Sequence, residues 1–256
     1  MILSALTALS VLPALSAPAA AQEWLLPDAR PMGEGEIRAA LGGGTMTWAL
    51  PERPNPAADT SDTDGFFSLR AAWAPVDRLT LDLLVGVGPS SAAVHPIAAV
   101  RYNLLQRDRM AVGLWGGLSW FSRGLPPTYA SVEYTLLGLA LDMGGARVRF
   151  DGSFPLLSGS YPPWGGLTGW GVLGPSGLGL SEWGVSWLSA RHSVRLGLLS
   201  SLTTLDYRIS FSAGDRPARW TVGVGAGYDA IGRALGLDPY PTVFRVEAGL
   251  GVPGRS

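Results

Sequence analysis

The sequence contains no cysteine and no lysine, and only 15% of its residues are charged. Without cysteine the chain has no disulfides, no thiolate nucleophile and no cysteine ligands for zinc. All 19 basic residues are arginine, and with 20 acidic residues they give a formal net charge of -1. There is no basic tract with interleaved aromatic residues, so the sequence gives no indication of nucleic-acid binding.

Long apolar runs are missing after the N-terminus, although 47% of the residues are hydrophobic. A membrane helix needs about 20 consecutive apolar residues. Residues 1–21 are uncharged, rich in Leu and Ala, and end in three alanines, the small-residue pattern that precedes a signal-peptidase cleavage site. They predict a secretory signal peptide, followed by a periplasmic lead over 22–36. Pro13 and Pro18 argue against the alternative, a permanent helical anchor.

The sequence does have a repeated alternation of apolar and polar residues. In one segment Phe67, Leu69, Ala71 and Trp73 form the apolar series, while Arg70 belongs to the other series. Successive side chains of a strand point to opposite faces of a sheet. The alternation therefore predicts a sheet with one face in an apolar medium and the other in a polar one.

Alternation and turn-forming residues together predict an all-β fold, a single antiparallel transmembrane β-barrel over 37–252 with a tail over 253–256. Twelve strands are predicted, at 37–50, 65–74, 79–88, 94–104, 110–121, 129–141, 147–157, 182–189, 193–202, 204–212, 219–228 and 242–252.

The lengths of the predicted connections alternate as well. One set is short, at 75–78, 105–109, 142–146, 190–192 and 213–218. The other set is mostly longer, at 51–64, 122–128, 158–181 and 229–241, with two brief exceptions near Pro89 and near Ser201. Outer-membrane barrels have short periplasmic turns and longer outer loops. The pattern predicts an even strand count with both termini on the periplasmic side.

Charged residues within the predicted strands fall on the series opposite to the apolar one. An arginine facing lipid at mid-depth costs roughly 2–4 kcal/mol, so a membrane barrel must direct its charges into the lumen. The predicted lumen-lining residues are Arg70, Asp82, Arg101, Glu133, Arg147, Arg149, Asp151, Arg195, Asp206, Arg208, Arg245 and Glu247.

Two predicted strands depart from strict alternation. The first changes phase across Gly42, Gly43 and Gly44, which predicts a β-bulge there. The sixth loses its alternation after Leu136.

Aromatic residues fall near the ends of the predicted strands. Such girdles mark the two interfaces of a membrane barrel. The outer girdle is predicted from Trp48, Phe67, Trp120, Trp183 and Tyr228, and the inner one from Trp73, Tyr102 and Trp220. The alternative, a soluble β-sandwich or lipocalin-like barrel with tryptophans in its core, needs the charged face on the outside.

The alternation, the girdles and the loop asymmetry together resemble the outer-membrane β-barrel proteins of Gram-negative bacteria, over residues 37–252. The resemblance is architectural, and no motif points to a particular family. It implies location in the bacterial outer membrane, contact with outer-membrane lipid, and passage of a small solute as an expected activity.

The predicted lumen residues comprise seven arginines and five acids, which allow two interpretations. The arginines could form a weakly anion-preferring lining. Alternatively, opposite charges could pair across neighbouring strands and fill the interior. The charges suited to such pairing lie on three predicted strands: Arg147, Arg149 and Asp151 on one, Asp206 and Arg208 on another, and Arg245 and Glu247 on a third. The near balance of charge favours pairing, while twelve strands enclose enough volume for a narrow water-filled path.

The function predicted from these residues is a narrow, porin-like, non-enzymatic channel for small polar or anionic solutes, active as a monomer. The first alternative is a closed barrel that docks a partner through the loop 158–181, using Tyr161, Trp164 and Trp170. The second is a lipid-modifying barrel enzyme using His95, which lies near Ser90 and Ser91 but in no established motif spacing.

No cofactor or metal site is predicted. Asp59, Asp62 and Asp64 bring carboxylates together in the first outer loop but lack the full pattern of a calcium-binding loop. His192 falls at an inner turn, on the wrong side for outer-leaflet lipid chemistry.

Overall fold

The computed structural model describes residues 29–49, 61–88, 93–123, 129–161, 182–199, 202–212, 218–228 and 241–254. These residues form twelve strands. The strands are β1 (Ile37–Ala49), β2 (Ser61–Val76), β3 (Leu79–Gly88), β4 (Ala93–Arg107), β5 (Met110–Arg123), β6 (Tyr129–Gly144), β7 (Val148–Tyr161), β8 (Glu182–Leu188), β9 (His192–Leu199), β10 (Leu202–Ser212), β11 (Arg219–Tyr228) and β12 (Pro241–Val252).

The strands close into one antiparallel barrel. Each strand pairs with its neighbours in the chain, and β1 pairs with β12 from Ile37 opposite Val252 to Trp48 opposite Pro241. Closure leaves no sheet edge with unpaired backbone groups along the first and last strands. The predicted all-β, twelve-stranded closed barrel is confirmed. Within the described ranges, no helix is long and apolar enough to cross a membrane.

Tight turns lie at one end of the barrel. Asp77 and Arg78 join β2 to β3, and Asp108 and Arg109 join β4 to β5. Arg78 has a φ of 67°, the left-handed conformation that such short turns need. The same end holds Ile37 and Val252, so the chain enters and leaves the barrel beside its short turns, and this is the inner, periplasmic end.

The outer wall of the barrel is apolar. Leu41, Phe67 and Leu136 point outward and are each about two thirds exposed, at 65%, 66% and 67%. Trp73 and Trp220 are exposed at the inner end, in the predicted inner girdle. The charged side chains that the structure describes between the strand ends face inward instead, so the soluble alternative, with its charges outside, is wrong. The chain is a transmembrane β-barrel of the bacterial outer-membrane type.

The strand register corrects one prediction and explains another. β1 pairs without interruption with both neighbours across Gly42, Gly43 and Gly44, so the bulge predicted there is wrong. A side chain at Gly44 would run into the backbone of β12 and the ring of Phe66, which accounts for a glycine at that site. In β6 the pairing with β7 does shift around Leu137, where the sequence loses its alternation.

Several strands extend further than their predicted bounds. β6 continues to Gly144 and includes Asp142, which the sequence placed in a turn. β7 continues to Tyr161, so residues 158–161 belong to the barrel wall rather than to the outer loop. Backbone pairing carries both strands past the point where apolar alternation fades. The predicted signal peptide, 1–21, lies outside the described residues and stays a prediction.

Candidate functional site in the barrel lumen

The structure places most of the predicted lumen residues on the inward face. Arg147 differs, because β7 begins one residue later and leaves it exposed in the turn after β6. The backbone of Glu133 lies on β6, and its side chain is outside the described set. Inward positions are occupied by Arg70, Asp82, Arg101, Arg149, Asp151, Arg195, Asp206, Arg208, Arg245 and Glu247.

The inward charges form ion pairs between strands. Arg101 Nε lies 2.7 Å from Asp82 Oδ2, and Arg195 Nη2 lies 2.6 Å from Asp151 Oδ2. Arg245 also pairs with Asp206. Arg208 pairs with Glu247 at 3.5 Å. Of the two sequence interpretations, the geometry favours the one in which opposite charges pair and fill the interior.

Three of these pairs cross an intervening strand at a glycine, and one of them is Arg195 with Asp151, which passes over Gly184 of β8. Asp206 on β10 lies opposite Gly225 on β11, which in turn lies opposite Arg245 on β12, and the guanidinium of Arg245 reaches over the glycine to the carboxylate. A Cβ at Gly225 would lie 2.2 Å from Asp206 Oδ1 and 2.7 Å from Arg245 Nε. The pair therefore requires glycine on the strand between its members.

The next pair along the wall repeats this arrangement. Arg208 and Glu247 both lie opposite Gly223, and a Cβ there would meet Arg208 Cγ at 3.0 Å. Strands two apart in a sheet are about 9.6 Å apart, a gap that an arginine can span only if the middle strand has no side chain in the way. The arginines therefore lie flat against the wall instead of projecting to the barrel axis.

The charged side chains are reached by water only in part. Arg70, Arg101 and Arg195 expose 5–8% of their side-chain surface, while Arg245 and Glu247 expose 15% and 18%. A wide aqueous lumen would leave its lining much more exposed. At the level of these residues the lumen is narrow.

An N-terminal segment, residues 29–36, occupies part of the inner end of the lumen. Met32 is buried against Ala72 and Ala74 of β2. Ala29 is buried in an apolar cluster with Leu84, Ile97, Ala111, Trp115 and Ala140 on the inner faces of β3 to β6. The lumen thus has an apolar half, packed with this segment, and a charged half. The charged half is formed by β7 to β12 together with inward residues of β1 to β4, namely Arg38, Arg70, Asp82 and Arg101.

Polar contacts hold the segment in place. Arg30 Nε donates to Asp142 Oδ1 at 2.9 Å, and the Asp142 side chain is fully buried. Asn103 Nδ2 donates to the carbonyl of Ala29. Where the segment joins β1, the backbone of Gly35 donates to Ala74. The segment is therefore bound to the wall at both of its ends.

Sequence reasoning missed five charged residues of the lumen, Arg30, Glu36, Arg38, Asp142 and Arg219. Arg38 and Arg219 lie on the inward series of their strands, so continuing the alternation to the strand ends would have found both. Arg30 and Glu36 belong to a lead with no periodic signal. Their placement depends on partners distant in the chain.

We expect Asp142→Asn to loosen the N-terminal segment. The substitution keeps the size of the side chain but removes the charge that receives Arg30, and a charge-assisted hydrogen bond contributes about 1.5–3 kcal/mol. Because the chain has no cysteine, Met32→Cys introduces a unique thiol at a buried position. Its rate of maleimide labelling should rise at least tenfold when Asp142→Asn is added.

The control is Glu34→Cys, whose site is already exposed. It should label quickly with or without Asp142→Asn. Equal labelling rates for Met32→Cys in both backgrounds would show that Asp142 does not hold the segment.

Most of the other predicted site residues lie outside the described residues or have no described side chain. Tyr161 ends β7 with its side chain outside the described set, and Trp164 and Trp170 lie in the undescribed range 162–181. His95 is on β4, also without a described side chain.

His192 contacts Tyr207 in the described part of the chain. Its Nδ1 lies 2.8 Å from the Tyr207 hydroxyl in a hydrogen bond, and the two rings stack with their centroids 6.0 Å apart. Among described residues no group of three His, Asp or Glu could hold a metal ion.

Comparison with known proteins yields structural similarity only. No protein-family model matches the sequence, and no curated protein matches it. The KdgM porin in complex with disordered oligogalacturonate is similar over 85% of this chain and 99% of its own, with 10% identity and a TM-score of 0.48.

Two further structures have comparable similarity. An outer-membrane channel from Pseudomonas putida F1 matches over 88% of this chain and 97% of its own, with 14% identity and a TM-score of 0.44. Outer membrane phospholipase A from Escherichia coli matches over 84% and 89%, with 10% identity and a TM-score of 0.44. Identities and TM-scores this low give no information about the solute or the activity of this barrel.

Proposed function

We propose that the protein is a narrow passive channel that admits small polar or anionic solutes across the outer membrane. The observation that carries the proposal is a polar, ion-paired inner face, partly reached by water, inside a wall whose outer face is apolar. Such a wall holds a hydrated path through lipid without exposing charge to it.

The paired charges and the N-terminal segment set the expected size limit. Arginines that lie flat over glycines keep their charge at the wall, while residues 29–36 fill the apolar half of the inner end. The remaining path runs along the charged half. It therefore suits solutes much smaller than those that pass the aqueous channels of 16- to 18-stranded porins.

Planar-bilayer recording of the purified barrel tests the proposal. We expect small, stable conductance steps, below those of wide porins, with a modest preference for anions. A folded barrel that inserts and remains silent would contradict the channel and leave the closed interaction barrel as the better description.

A matched pair of substitutions ties the conductance to the lumen. Thr204 and Leu205 are neighbours on β10, with Thr204 on the inward series of Asp206 and Leu205 exposed on the outer face. Thr204→Trp should lower the conductance by adding bulk to the lumen, whereas Leu205→Trp should leave it unchanged. If the two substitutions changed the conductance equally, the current would not pass through the barrel interior.

A further inference from the structure

Arg70 is buried in the lumen with part of its guanidinium unsatisfied. Its side chain is 5% exposed, and its closest described carboxylate contact, from Nη2 to Asp82 Oδ1, is 3.7 Å. Nη1 is buried and has no hydrogen-bond partner among the described residues. An arginine stays charged at any physiological pH, and a buried charged donor without an acceptor is costly. The position therefore favours an added acceptor.

The nearby carboxylates are already engaged by other arginines. Asp82 accepts hydrogen bonds from Arg101 Nε at 2.7 Å and from Arg101 Nη2 at 3.3 Å. Glu247 is close enough to Arg70 for their charges to attract each other, but it forms its ion pair with Arg208. Neither carboxylate is placed to satisfy Arg70 Nη1.

Positive charge is in excess around this position. Arg38 lies within electrostatic reach of Arg70, Arg101 and Arg219, and its own described acceptor is Glu36, at 2.6 Å. We count Arg70, Arg38 and Glu36 together with the described groups whose charges act on them. This set contains five arginines and three carboxylates, an excess of two positive charges. The members of this Arg70 cluster are Arg38, Arg70, Arg101, Arg208 and Arg219, with Glu36, Asp82 and Glu247.

We propose that the Arg70 cluster is a binding site for a small oxyanion in the inner half of the lumen. A phosphate, sulfate or carboxylate group carries several acceptor oxygens, which match the fixed donors of a guanidinium and offset the excess charge. As a step in solute passage the site rests on the proposed channel function. Its binding of an anion can be measured whether or not the barrel conducts.

The test uses the whole folded barrel in detergent micelles, with inorganic phosphate as the probe and sodium chloride at equal ionic strength as the reference. A ligand that binds only the folded state raises its stability. We expect phosphate, but not chloride, to raise the thermal midpoint. Arg70→Gln should weaken the apparent affinity for phosphate at least tenfold.

Arg147→Gln is the matched control, since it removes one arginine from an exposed turn outside the lumen. It should retain the response to phosphate. The proposal is overturned if phosphate does not raise the thermal midpoint of the wild type more than chloride does. This measurement does not depend on whether Arg70→Gln folds. It is also overturned if a folded Arg70→Gln responds like wild type.

Conductance separates this proposal from the channel. A barrel that conducts without binding phosphate loses the site but keeps the channel. A silent barrel that binds phosphate keeps the site and loses the channel.

Discussion

Val224→Arg is expected to lower the free energy of unfolding by about 2–4 kcal/mol, the cost of an arginine facing lipid at mid-depth. Val224 lies in the middle of β11, is 44% exposed, and pairs with Tyr207 and Val246, two other outward residues. The guanidinium would therefore enter the hydrocarbon with no acceptor nearby. Urea unfolding of the barrel from lipid vesicles measures the effect.

Val148→Arg is the matched control. Val148 is also outward and exposed, at 47%, but it is the first residue of β7, beside the inner turn. There an arginine reaches the interface and costs about 0–1 kcal/mol. Equal and small losses for the two variants would mean that the outer wall of β11 faces water, and the transmembrane assignment would fail.

The sequence predicts the outer face of this barrel much better than its lumen. Lipid imposes the same requirement on every strand, so local alternation around residues such as Phe67 and Leu69 is enough to give fold, orientation and location. The bounds are less accurate where turn formers occur inside a strand. Asp142 precedes Met143, Gly144 and Gly145, so composition indicates a turn although backbone pairing continues to Gly144.

The pairing of charges in the lumen depends on contacts between distant strands, which no local sequence pattern predicts. Inward glycines such as Gly223 and Gly225 each lie between a charged residue and its partner two strands away. The sequence predicted that Asp206, Arg208, Arg245 and Glu247 would pair. Which acid each arginine binds follows only from the register.

The N-terminal segment marks the limit of sequence reasoning in this chain. Nothing in residues 22–36 indicates that Ala29 would reach an apolar cluster on β3 to β6. That cluster is itself unexpected, because Leu84, Ile97 and Trp115 are apolar residues on the inward face of a membrane barrel. The segment covers them, so an apolar region of the lumen is buried instead of facing water.

Asp206→Asn is expected to be among the most damaging conservative substitutions in the lumen. Asp206 is buried, its Oδ1 accepts two hydrogen bonds from Arg245, and Gly225 leaves room for the pair. Breaking a buried pair by neutralising one member typically costs 3–5 kcal/mol. Because Arg245 keeps 15% of its side chain exposed to water, we expect about 3 kcal/mol, measured as the free energy of unfolding in urea.

The double variant Asp206→Asn/Arg245→Gln removes the uncompensated charge and should recover more than half of that loss. Asp77→Asn is the control, because Asp77 and Arg78 form an exposed pair at 3.8 Å in an inner turn. Exposed pairs contribute about 0–1 kcal/mol, so its effect should be small. If Asp206→Asn is as mild as Asp77→Asn, water solvates Arg245 freely and the lumen at this level is wider than the burial of its charges indicates.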